Sequence, residues 1–272
     1  MPLPHDAVSR HFDFHLGLGV PLALMVFLLI FDVSGLDFRI EHSFFLPDRG
    51  FVGQHSYWLE DVLHSRAKQV VIVFALLALA GFLLSTLSSR WHSWRRPLGY
   101  LVLAMSLSTS IVTPLKTVTA IQCPWSLSEF GGEETYVPLL GAHPATEHPG
   151  RCWPGGHAST GFSLLALFFC LRDRRPRTAR LALGIALATG AVFSVGRMMQ
   201  GAHFLSHNLW TLLIDWTICA LCYRWMLYRR PTFRAPSASL TANPSCVGST
   251  PHPTHGDPAA GAFGLLQVLR RG

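Results

Sequence analysis

Six apolar blocks, at residues 16–36, 70–87, 98–115, 155–171, 179–195 and 208–227, constrain this chain more than any other feature. Each is close to the ~20 residues that carry a helix across ~30 Å of hydrocarbon. A bilayer offers no water to unpaired backbone groups, so segments that cross it are helices, and Pro21 and Gly184 within the blocks are compatible with that. Charged residues are 14% of the 272-residue chain, against roughly a quarter in a soluble domain. With mean hydropathy of +0.33, a disordered, coiled-coil or collagen-like chain is excluded. No basic n-region and cleavage pattern precedes the first block, which is expected to stay as a span.

The formal charge of +7 would suggest nucleic acid in a soluble protein. Here the basic residues lie between apolar blocks, where they set orientation, and no nucleic-acid partner is expected. With the N-terminus inside, the inner segments hold fifteen Lys and Arg and the outer segments seven. Both termini are therefore expected in the cytoplasm. The fold expected is all-α: a polytopic membrane bundle of six transmembrane helices over residues 1–230. A Pro-, Ser-, Thr-, Ala- and Gly-rich stretch over 231–272 reads as a disordered cytoplasmic tail.

This topology gathers polar residues on one side. Lys116 follows the third block, Gly155, Gly156 and His157 open the fourth, Arg197 follows the fifth, and His203 and His207 precede the sixth. Each alone has an ordinary reading: an interfacial lysine, a turn, a headgroup anchor, a hydrogen-bonded histidine. Together, two cations, a glycine-flanked helix start and three imidazoles make a phosphate site. His203 and His207 are also four apart, on one helix face, like a zinc pair. The Glu that would follow the first histidine of a zinc-protease helix is missing, and no metal is expected.

The order Lys116-x6-Cys123-Pro124, then Pro154-Gly155-Gly156-His157, then Arg197-x5-His203-x3-His207 resembles the type-2 phosphatidic acid phosphatase superfamily, which includes vanadium haloperoxidases. The usual pattern there is Lys-x6-Arg-Pro, Pro-Ser-Gly-His and Ser-Arg-x5-His-x3-Asp. The resemblance implies that His203 is the nucleophile, forming a phosphohistidine, and that His157 is the acid that protonates the leaving oxygen. Lys116, Arg197 and the backbone N–H groups near Gly155 and Gly156 would hold the phosphoryl oxygens, with no cofactor. It further implies a membrane lipid phosphate or pyrophosphate as substrate, in the bacterial cytoplasmic (inner) membrane with the site facing the periplasm. Phosphotransfer between lipids and a non-catalytic lipid-binding or transport role are the alternatives.

Three positions depart from the pattern. Cys123 stands where the family has Arg, and Arg151 is the candidate to replace that contact. Gly155 replaces Ser. His207 replaces the Asp that orients the nucleophile, and is expected to accept a hydrogen bond from His203 instead. Asp215, about two turns further along the same helix, is a second suspect as an intramembrane carboxylate, a polar contact to another helix being its ordinary reading. Cys123 and Cys152 share the outer loop, either as a disulfide in an oxidising compartment or as two free thiols.

Overall fold

The structure, a computed structural model, describes residues 9–141 and 148–228. The expected tail at 231–272 lies outside the described residues. Helices dominate: α1 Phe14–Ile30, α2 Ser34–His42, α3 Lys68–Leu87, α4 Arg95–Thr119, α5 Gly156–Phe162, α6 Leu165–Leu171, α7 Pro176–Met199 and α8 Leu205–Met226. A two-stranded hairpin, β1 Phe45–Leu46 and β2 Gly50–Phe51, follows α2. A π-helical stretch, Trp58–Ala67, runs directly into α3.

Three helical stretches are long and apolar enough to cross a membrane: Trp58–Leu87, Ser89–Ser126 and Pro176–Met199. A fourth arises if α1 and α2 count as one span, but they meet at a bend of 86°. α8 has the length, 22 residues, without the apolarity, and α5 with α6 form a shorter apolar helix. The expected blocks thus lie on helices, while length and composition support three or four spans rather than six. Large apolar side chains point outward along the bundle, among them Val70, Leu77, Leu87 and Leu181. An exposed apolar surface of this extent is abnormal in water and ordinary against lipid, as in a membrane protein.

Local rules explain the helix ends. Asp13 caps α1 by accepting from the N–H groups of His15 (2.9 Å) and Leu16 (3.2 Å). Pro176 occupies the first turn of α7, where its missing N–H costs nothing. α5 and α6 are separated by a tight turn in which the Leu164 N–H bonds to the Gly161 carbonyl at 3.2 Å.

α8 packs against α1, α4, α5 and α6. Tyr100, Phe169 and Tyr223 fill the centre, and the Tyr100 hydroxyl donates to the Cys219 carbonyl at 3.1 Å. A second apolar cluster, Phe51, Leu127, Phe130 and Phe204, packs behind the loop that enters α8. α5 and α7 approach at a glycine contact: a Cβ on Gly161 would stand 2.7 Å from the Gly190 Cα, and one on Gly190 would enter the Phe162 ring. Gly161→Val should push α5, which carries His157, away from α7. We expect a stability loss of about 1–3 kcal/mol, read as a lower thermal midpoint in detergent.

Candidate active site

The site is built from four chain segments at one end of the bundle. α4 carries Lys116 in its last turn, where unpaired carbonyls favour a cation. The helix then stops at Ala120, in the left-handed region with φ 49°. Its N–H bonds back to the Lys116 carbonyl at 3.2 Å. The returning chain is fastened to this helix end at three points. The Cys152 N–H donates to the Ile121 carbonyl (3.0 Å), Thr119 Oγ1 donates to the Trp153 carbonyl (3.2 Å), and Cys123 and Cys152 form a disulfide with Cα atoms 5.2 Å apart.

Gly155 caps the start of α5 and lies directly against α8. Its N–H donates to the His207 carbonyl (3.3 Å) and its carbonyl accepts from Thr211 Oγ1 (3.2 Å). A Cβ here would stand 2.4 Å from Asn208 Oδ1. The Gly155 N–H is therefore engaged by protein, contrary to the expectation that it holds phosphate. Gly156 is different: a Cβ there would be 3.4 Å from Lys116 Nζ, so the ammonium lies beside the first turn of α5. Lys116, Gly156 and His157 all line one cavity of about 530 Å³. Lys68 and the hydroxyls of Ser106, Thr109, Thr113, Thr160 and Ser163 also line it, and the rest of the wall between α3 and α4 is apolar, with Val71, Leu76, Val102 and Met105.

α7 supplies Arg197 in its last turn. Its Nη1 donates to Gln200 Oε1 (2.8 Å), and the guanidinium lies 5.6 Å from the centre of the Trp125 ring. Trp125 in turn donates its N–H to the Gly201 carbonyl at 2.9 Å, which fixes the loop before His203. Gly201 sits at φ +69° with the Phe51 ring where a Cβ would be, so this turn requires glycine.

His203 and His207 are both buried. Burial first, then the neighbouring Lys116, His207 and Arg197, holds the His203 imidazole well below its ordinary range. The same electrostatic contacts place His203 with Lys116 and Arg197 in one cluster. The expected hydrogen bond between the histidines is not formed: the ring centres are 6.2 Å apart with planes at 66°, and neither Nδ1 has a partner among the described residues. His203 precedes α8, which starts at Leu205 after an extended Phe204, so the one-face spacing of a helix does not relate the pair. Among the described residues no third His, Cys, Asp or Glu completes a metal cluster with them. Arg151 is exposed, with no hydrogen bond or ion pair among the described residues.

Two residues matter that the motifs do not reveal. The Asp37 carboxylate on α2 accepts from the Ser206 N–H (2.9 Å) and from the Ser206 hydroxyl, gripping the start of α8 between the two histidines. Asn208 fills the space that Gly155 leaves. Asp215 is fully buried and has the ordinary role weighed for it: its Oδ1 is 3.3 Å from Ser159 Oγ, which donates to the Ser108 carbonyl at 3.0 Å. This contact ties α4, α5 and α8 together below the site. The arrangement as a whole can hold a tetrahedral anion between two cations, with one imidazole kept neutral beside it.

Residues 97–231 match the family model of the PAP2 superfamily. No curated protein and no solved structure matches the chain. The Asn208 contact accounts for Gly155 in place of serine. Gly155→Ser alone should misplace α5, lowering stability by about 1–3 kcal/mol. The pair Gly155→Ser with Asn208→Ala should recover at least half of that loss, measured as a double-mutant cycle on thermal unfolding; additive losses would show the two positions to be independent.

Proposed function

Because the chain belongs to the PAP2 superfamily, we propose that it is a membrane phosphatase for phosphorylated lipids that works through a phosphohistidine on His203. The observation that carries this reading is the shape of one cavity: cationic and titratable at its head, with Lys116 and His157, and apolar along its stem between α3 and α4. A headgroup phosphate fits the head and an acyl or prenyl chain fits the stem.

In this mechanism Lys116 and Arg197 neutralise the phosphoryl oxygens, which is most of what phosphoryl transfer asks of a protein. The neutral His203 attacks phosphorus, and the N–P bond forms as the P–O bond to the lipid breaks. His157 gives its proton to the leaving oxygen. Water then attacks the phosphohistidine, returns a proton to His157, and releases phosphate with His203 free. No step calls for a divalent metal. Arg151, exposed near Cys152, is proposed to reach the headgroup from outside.

We place the protein in a bacterial cytoplasmic membrane with six spans: α1, α3, α4, α5 with α6, α7 and α8. α2 turns away from α1 and lies along the surface. The arginine-rich ends then face the cytoplasm with both termini, and the site faces outward. The burial of much of α5, α6 and α8 within the bundle supports counting them, because a helix shielded by its neighbours needs less apolar surface.

Purified full-length protein in detergent with chelator present should release phosphate from one or more of phosphatidic acid, phosphatidylglycerophosphate, undecaprenyl pyrophosphate and lipid A phosphates. His203→Ala should reduce the rate by about 10³-fold or more. Transfer of the phosphoryl group to a second lipid would make the protein a phosphotransferase, and neither release nor transfer would leave only lipid binding. Because burial and neighbouring cations depress the His203 pKa, the nucleophile stays neutral through mild acid. The acid limb of kcat/KM should therefore fall below the ordinary imidazole value of about 6.5.

The cavity stem makes a separate prediction. Val102→Trp should raise KM for a long-chain lipid phosphate by about tenfold, leaving p-nitrophenyl phosphate hydrolysis within about twofold. Equal effects on both substrates would remove the stem from lipid recognition.

A further inference from the structure

A second cationic cavity lies at the opposite end of the bundle, and the phosphatase mechanism makes no use of it. It measures about 690 Å³ and is bounded by Arg95, Arg96 and Arg174, with Phe82, Met226 and Leu227 among its apolar walls. Asp173, the one carboxylate that lines it, is committed to other groups. Its Oδ2 accepts from the Tyr223 hydroxyl (2.7 Å), its Oδ1 accepts from the Arg10 N–H (3.1 Å), and Arg172 Nη1 lies 3.8 Å from Oδ1. The three lining guanidiniums have no hydrogen-bond or ion-pair partner among the described residues. The cavity is thus left with uncompensated positive charge above an apolar floor.

Its depth is set by α4. Arg95 opens that helix and Lys116 sits in its last turn, so the two are separated by ~32 Å at ~1.5 Å per residue. That distance matches the ~30 Å hydrocarbon layer, which puts the cavity at headgroup level in the leaflet opposite Lys116. We propose that it binds the phosphodiester headgroup of an acidic phospholipid, with the first carbons of the acyl chains against Phe82, Met226 and Leu227. The fork of a guanidinium suits phosphate oxygens, and three of them around one anion supply the charge complementarity. The chain's own C-terminal segment is a poor alternative occupant: residues 229–272 carry five arginines and one acid, Asp257.

The inference stands apart from the catalytic reading, and its test needs no turnover. Full-length protein in detergent is titrated with short-chain phosphatidylglycerol and, separately, short-chain phosphatidylcholine, in a His203→Ala background. Bound lipid is counted by native mass spectrometry. We expect at least a tenfold preference for phosphatidylglycerol, weakened by salt and abolished in Arg95→Gln/Arg96→Gln/Arg174→Gln. The matching triple Lys variant should keep part of the preference. If the triple Gln variant does not fold, each single Gln variant should weaken phosphatidylglycerol binding by about two- to fivefold. Equal binding of the two lipids, or a preference untouched by the Gln variants, overturns the proposal. Displacement of the lipid by an equal concentration of inorganic phosphate also overturns it, because the site would then be one for a free anion.

Discussion

A buried imidazole beside two cations is the constraint on which the rest of the candidate site depends. Burial is the largest influence that keeps the His203 imidazole neutral, and Lys116, His207 and Arg197 add to it. In the proposed mechanism the cations that would bind a phosphoryl anion therefore also help keep His203 in the neutral form that attack requires. In that reading a bound dianion would offset the cations' share of this effect and leave the share that comes from burial. The rest of the site can then be simple: one loop to present His203, one helix start to present His157, and fasteners that hold the two together.

Those fasteners converge on α8. Its first turn is gripped by Asp37, its His207 carbonyl receives the Gly155 N–H, and its Thr211 hydroxyl donates to the Gly155 carbonyl. Deeper in the bundle, Asp215 reaches Ser159 and so couples α8 to both α5 and α4. The glycine contact between α5 and α7 completes the frame by allowing two backbones to touch. In a bilayer, where apolar burial gives little drive for helices to associate, such short polar ties and close backbone contacts carry much of the specificity.

The helices were legible in the chain because apolar runs are local signals, and the motif spacings singled out Lys116 and His157, which line one cavity, and Arg197 and His203, which interact electrostatically. α3 ends at residue 87 and α4 covers 98–115, as the blocks suggest. What escaped is tertiary. Asp37 meets Ser206 across 169 residues of chain, and no local pattern announces it. The sharp bend between α1 and α2 falls inside a block that composition reads as one span. The Gly155 amide looked open from its place in a glycine pair, but α8 supplies its acceptor. His207 was expected to orient His203, yet His203 lies before α8 and off the helix that carries His207, so helical spacing does not bring their ring nitrogens together. Gly155 itself became intelligible only with Asn208 beside it.

The bond between Cys123 and Cys152 closes a loop with a sequence separation of 29 residues. One end follows the helix that bears Lys116, and the other precedes the helix that bears His157. Closure of this loop is thereby tied to a chemical event, the oxidation of two thiols. With the thiols reduced, the same segments would keep the hydrogen bonds from the Cys152 N–H to the Ile121 carbonyl and from Thr119 to the Trp153 carbonyl, and would lose the covalent clasp. The clasp would thus be present only where the surroundings let two thiols oxidise.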